Sequence, residues 1–198
     1  KSITQRRSFI ARKHPEILKM ILNMAGGRYE YSEEMNAVKY VIGGKRRGLS
    51  LVESSSTVRS LSELFFYLKH CARKGQLLMI DEPELNLHPA NQRKVANLLG
   101  MLVNVGIRVF VTTHSDYIVR ELNTMIRAKL VGENAGRAKC MSLGLQKSSL
   151  ISAEDVRVYV MQEGTAHGVK YDQCARGFSV RSFDETVRAY NELYQKVL

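Results

Sequence analysis

Asp81 and Glu82 close a run of four apolar residues, Leu77-Leu78-Met79-Ile80, and are followed at once by Pro83. A short, wholly apolar run is the pattern of a strand buried on both faces of a parallel sheet. The two carboxylates then stand at the carboxyl edge of that sheet, where α/β proteins bind their ligands. Adjacent acids at such an edge can divide the work of phosphate hydrolysis, one holding a divalent metal while the other orients and deprotonates a water. Asp81 takes the metal side in this reading and Glu82 the base. The plainer alternative, an acidic pair that merely opens a surface turn, fits poorly with a buried strand immediately before it and a proline immediately after.

A second apolar strand, Val109-Phe110-Val111, ends in Thr112-Thr113-His114-Ser115. A lone histidine is more often structural than catalytic. Here, however, the strand follows the first by one crossover, so His114 can sit beside Glu82 and offer an imidazole N–H to a terminal phosphate. A third signal is Glu53-Ser54-Ser55-Ser56-Thr57, placed just ahead of a helical pattern. Small hydroxyl residues before a helix present side-chain donors and unpaired backbone N–H groups to an anion, or simply cap the helix.

The elements that must position these residues follow from the periodicity. Pro15 opens a helix with Ile17, Leu18, Ile21 and Leu22 at helical spacing, ended by Gly26-Gly27. Val38, Tyr40 and Ile42 alternate, and the glycine-rich 43–48 turn leads to Leu49 and Leu51, which reads as a β-hairpin. From Val58, Leu61, Leu64, Phe65 and Leu68 share one face, predicting a helix of about four turns that ends near Gly75. Pro89 starts a helix bearing Val95, Leu98, Leu99 and Leu102 between the two buried strands, and Ile118, Leu122, Met125 and Ile126 mark the next. Residues 132–149 read as loop, 156–161 as a strand, 163–168 as a turn and Val169 to Tyr171 as its hairpin partner. Ser182 with Glu185 forms a capping box for a last helix carrying Val187, Tyr190, Tyr194 and Val197.

Of the 198 residues, 44% are hydrophobic and 25% charged, an ordinary globular composition that excludes disorder and fibrous classes. No apolar run approaches the roughly 20 residues of a bilayer span, and the expectation is a cytoplasmic protein with no membrane contact. Residues 1–48 hold 11 basic and 4 acidic side chains, so most of the net charge of +11 is at the front. That excess could attract nucleic acid or be a solvated face. Cys71, Cys140 and Cys174 are widely spaced without a zinc pattern and read as reduced packing residues.

Taken in order over about residues 36–120, the serine-rich loop before a helix, the strand with its Asp-Glu pair, the following Glu84-Leu85-Asn86-Leu87-His88 and the strand-ending histidine resemble the ATP-binding cassette ATPase family. Within it, the sequence is more similar to the soluble branch than to membrane transporters. That branch includes chromosome-maintenance and break-repair ATPases, the overcoming-lysogenization-defect (OLD) proteins, and the AAA-family ATPases of bacterial anti-phage systems such as PARIS, Septu and retrons. The resemblance implies an α/β fold: the carboxyl-terminal lobe of a P-loop ATPase, a mostly parallel sheet flanked by helices, with a terminal β-hairpin and helix. It divides the chain into a basic helical lead-in (1–35), the ATPase core (36–131) and a completing loop, hairpin and helix (132–198).

Position by position, the resemblance implies ATP and Mg2+ as ligands, Asp81 at the magnesium, Glu82 as catalytic base and His114 as the γ-phosphate switch. It makes Glu84 to His88, with Glu84 and Asn86, the D-loop, and Ser54, Ser55 or Ser56 the signature serine, Ser56 aligning best although Thr57 stands where the family has glycine. It also implies a homo-oligomer whose ATP sites are shared between protomers. No GxxxxGK[ST] loop is present: around Gly44-Lys45, Lys39 and Arg46 occupy the positions that need glycine and Ser or Thr. With Lys1 in place of methionine, this leads to the expectation of a carboxyl-terminal portion whose amino-terminal lobe lies elsewhere and without which it is inactive. A separate effector such as a nuclease fits the resemblance, since the 34 residues after Glu163-Gly164 contain no DxD. An ATP-gated scaffold with little turnover is the second reading, and a DNA-repair ATPase a third, which lacks the sustained heptads of a coiled-coil arm.

Overall fold

Pro15 supplies the fixed φ that suits a first helical turn, and α2 (Pro15–Ala25) buries Ile17, Ile21, Met24 and Ala25 along one stripe. The computed structural model describes residues 6–32, 36–45, 48–134, 145–174 and 177–180, with positions 185, 189, 191–193 and 195. α2 stops at Gly26, whose φ of 73° is the left-handed cap that glycine adopts without cost. Gly27 then opens β1 (Gly27–Ser32) under β2 (Ala37–Ile42), where a Cβ would lie 2.3 Å from the Val41 carbonyl oxygen. β1 pairs antiparallel with β2, and β2 with β3 (Gly48–Ser50). The second pairing is the hairpin expected around residues 43–48. β1 has no counterpart in the sequence reading, and the division after residue 35 falls between two paired strands.

A short α1 (Phe9–Lys13) precedes α2, capped by the Ser8 hydroxyl, which accepts from Ala11 N–H. Ser8 also donates to the Leu68 and Lys69 carbonyls, at 2.5 Å from Oγ and 2.9 Å from N. Both carbonyls lie beyond the α-helical part of the helix expected from Val58. α3 (Ser56–Phe66) lasts three turns rather than four and passes into a wider π-type turn, Tyr67–Cys71. The widening lets His70 turn inward, with Nδ1 2.7 Å from the Arg6 carbonyl and its ring stacked on Phe66.

β4 (Leu77–Asp81) and β5 (Arg108–Thr112) pair in parallel, in register from Leu77 against Arg108 to Asp81 against Thr112. α4 (Pro89–Asn104) joins them and α5 (Asp116–Asn134) follows. Leu78, Ile80, Val109 and Val111 pack against the buried core, but Leu77, Met79 and Phe110 are 53%, 65% and 51% exposed. The strands are thus covered on one face among the described residues, not on both as their unbroken apolar run suggested.

α4 and α5 are held by a buried polar network. Glu121 accepts from Arg93 Nε at 2.7 Å and from Asn97 Nδ2 at 2.8 Å, and Asn97 in turn accepts from Ser149 Oγ at 2.8 Å. Ser149 closes a 3-10 turn (Lys147–Ser149) that lies directly on Gly100.

The last hairpin is tighter than the sequence reading. β6 (Val158–Gln162) and β7 (Thr165–Val169) flank a two-residue turn, with Glu163 at φ 50° and Gly164 at φ 75°. Thr165 to Gly168 therefore belong to the strand and not to the turn. Cys71 and Cys174 are free and exposed rather than packed inside, and Cys140 lies outside the described residues. Most of the expected final helix, with its Ser182 cap, also lies outside them. Among the described residues no helix is long and apolar enough to cross a membrane.

Candidate active site

The end of β4 is built on Thr112, its partner at the end of β5. The Thr112 hydroxyl donates to the Asp81 carboxylate and accepts from the Glu82 backbone N–H at 3.2 Å, and the same N–H also reaches the Thr112 carbonyl. One side chain therefore fixes both acids. Glu82 leaves the strand at φ 43°, a left-handed conformation that a non-glycine residue holds at a cost of about 1–3 kcal/mol and that concentrates at functional positions. The turn continues through Asn86, also left-handed at φ 62°, with Leu85 N–H donating to the Glu82 carbonyl and Leu87 N–H to that of Glu84. His88 then caps α4 by accepting from Ala90 N–H, ahead of Pro89 in the first turn.

His114 meets this loop from the neighbouring strand. Its Nε2 lies 3.5 Å from Glu82 Oε1, with the imidazole 85% exposed and the Glu82 side chain 37% exposed. Asp81 is exposed beside them. The expected acid pair and histidine thus share one accessible edge.

Glu84 and Asn86, the expected D-loop residues, part company. Asn86 is exposed, whereas Glu84 is buried under the loop, its Oε1 accepting from Thr113 Oγ1 at 2.8 Å and His114 N–H at 2.7 Å. Glu84 thus turns toward the protein interior. Ser115 adds a second tie, donating to Gln92 Oε1 at 2.6 Å and accepting from Ile118 N–H to cap α5. Thr112, Thr113 and Gln92 were not singled out in the sequence. The two threonines following an apolar strand, opposite an acidic loop, were the available signal.

The serines also separate. Ser54 is buried and its hydroxyl is committed to the Ser50 carbonyl at 2.8 Å. Ser55 is the N-cap of α3, accepting from Val58 N–H, and Ser56 is the first residue of the helix and half-buried. The start of α3 is anchored from beneath by Tyr29, whose hydroxyl donates to the Val58 carbonyl at 2.6 Å. Burial, and then the neighbouring Tyr40, push the Tyr29 phenol far above its ordinary range, so it remains a donor.

Mg2+ keeps several waters and uses one or two protein carboxylates together with substrate phosphates. An exposed Asp81, oriented by Thr112, fits that demand. No group of three or more His, Cys, Asp or Glu among the described residues could hold a metal without such help.

The chain has a structural likeness to a protein solved in work on the structural biochemistry of ATP-driven dimerization and DNA-stimulated activation of SMC ATPases. The TM-score is 0.50 at 15% identity, covering 92% of this chain and 91% of that one, so the likeness concerns the fold. No curated protein matches. The model of the AAA ATPase domain matches residues 5–119, a stretch that takes in the serine loop, both strands of the acidic edge and His114. With that match spanning more than half its length, this chain belongs to the AAA ATPase domain family.

Proposed function

We propose that these residues form the hydrolytic edge of an ATPase that pairs around ATP and uses the pairing as a switch or clamp on a separate effector or on nucleic acid, in anti-phage defence. The observation that carries the reading is the placement of Glu82 and His114 3.5 Å apart beside an exposed Asp81 at one sheet edge. Asp81 would hold Mg2+ through its carboxylate, and the ion would supply neutralisation of phosphate charge. Glu82 accepts a proton from the attacking water as the new P–O bond forms and the bond to the ADP oxygen breaks. His114 donates from the imidazole to a γ-phosphate oxygen, where charge redistributes in the transition state. A lysine loop for the phosphates is not among these 198 residues, so the roles assigned here are those of base, metal ligand and switch.

Ser55 and Ser56, at the amino end of α3, would grip the ATP of the opposite protomer. The SMC ATPases of the similar structure are described as dimerizing under ATP and as activated by DNA, which supports the pairing proposed here. Light scattering with and without ATP, together with steady-state phosphate release by the intact protein, tests the reading. ATP-dependent pairing with turnover is the expected result. Pairing without turnover selects the scaffold, and neither selects against both.

A further inference from the structure

Glu84 carries a cost that packing does not repay. It is 8% exposed, and while Oε1 takes two hydrogen bonds, Oε2 is buried with no partner among the described residues. A buried carboxylate oxygen left without a donor is unfavourable, and an apolar side chain of the same volume would fill the space at lower cost. The two bonds that Glu84 does make both end on the segment carrying His114: the Thr113 hydroxyl and the His114 backbone N–H. Thr113 passes the restraint onward, since its Oγ1 accepts from Ser115 N–H at 3.0 Å.

The His114 imidazole itself is 85% exposed, with Glu82 Oε1 3.5 Å from its Nε2. Its direction is therefore set through its backbone. Glu82 and Glu84 are locked in one turn by the Leu85-to-Glu82 and Leu87-to-Glu84 backbone bonds. The carboxylate of Glu84 thus ties the His114 backbone to the turn that follows Glu82.

We propose that Glu84 is a positioning residue for hydrolysis, fixing the His114 backbone so that the imidazole faces the reacting phosphate next to Glu82. The inference rests on the proposed role of His114. Misplacing a reacting group by about 1 Å costs on the order of a hundredfold in rate, so loosening this clamp is expected to appear in kcat and not in ATP affinity.

The test is a double-mutant cycle in the intact protein. Glu84→Met keeps the volume and removes the acceptor, and it is expected to fold, to bind ATP within about twofold of wild type and to lower kcat by about tenfold or more. Glu84→Gln retains an accepting oxygen and should return kcat to within about threefold. In a His114→Ala background, Glu84→Met should slow the enzyme by no more than about a further twofold, because the group it positions is gone. Glu84→Met with wild-type kcat overturns the proposal, as does a full second tenfold loss on top of His114→Ala. If His114→Ala alone keeps wild-type kcat, the histidine reading falls and takes this inference with it, a result distinct from the other two.

Discussion

The Thr57 hydroxyl donates to the Asn86 carbonyl at 2.8 Å, tying the first turn of α3 to the loop after the acidic pair within one chain. The two segments therefore present a joint surface, with Ser55, Leu85 and Asn86 all exposed on it. If ATP is shared, Ser56 serves the partner's nucleotide while Glu82 serves its own.

Ser56→Arg is expected to block ATP-driven pairing while leaving the monomer folded, because Ser56 is the first residue of α3 and is not among the buried residues of that helix, Val58, Leu61, Ser62 and Phe65. Mixing Ser56→Arg with Glu82→Gln protein leaves one site with both lesions and one with neither. Phosphate release should rise above that of either parent. Mixed dimers that form without any such recovery would count against shared sites.

His114→Ala should lower kcat by about tenfold to a hundredfold and change ATP affinity by no more than about threefold, since a donor aimed at developing charge acts mainly in the transition state. Single-turnover kinetics beside equilibrium nucleotide binding separate the two. Unfolding of the variant is not expected, because the ring is solvated and the backbone N–H bond to Glu84 survives truncation.

Gly100→Ala probes the packing that supports α4. A Cβ there would lie 2.3 Å from the Ser149 carbonyl oxygen, so the 3-10 turn must lift away and strain its bond to the buried Asn97–Glu121 network. The expected loss is about 1–3 kcal/mol, the range for overpacking, seen as a lower Tm and as faster amide exchange at Ser149. An unchanged Tm would show that the turn moves without cost.

The sheet edge was legible because both of its strands are apolar runs that stop abruptly at polar residues, which puts Asp81, Glu82 and His114 together on the sequence alone. Periodicity likewise gave α2 to within a residue, since Pro15 and Gly26 punctuate it at both ends. What stayed hidden depends on contacts distant in sequence. Nothing local distinguishes Glu84, which turns inward, from Asn86, which turns outward, because the choice is made by Thr113 and His114 about thirty residues on. Ser54, Ser55 and Ser56 are alike as residue types, and only the carbonyl of Ser50 consumes the first of them. β1 was missed although Tyr29 and Tyr31 alternate with Arg28, Glu30 and Ser32, because the run is short and carries no aliphatic residue, and its pairing with β2 completes the strand. The apolar runs of β4 and β5 pointed to burial on both faces, whereas the described residues cover only one.

Glu82→Gln tests the central claim most directly. The amide keeps the size of the side chain but cannot take a proton from water, so the intact protein should still bind ATP while phosphate release falls by at least about a hundredfold, the scale of losing a positioned base. Phosphate release by the variant equal to that of wild type would contradict the assignment of Glu82 as the base and with it the reading of this sheet edge.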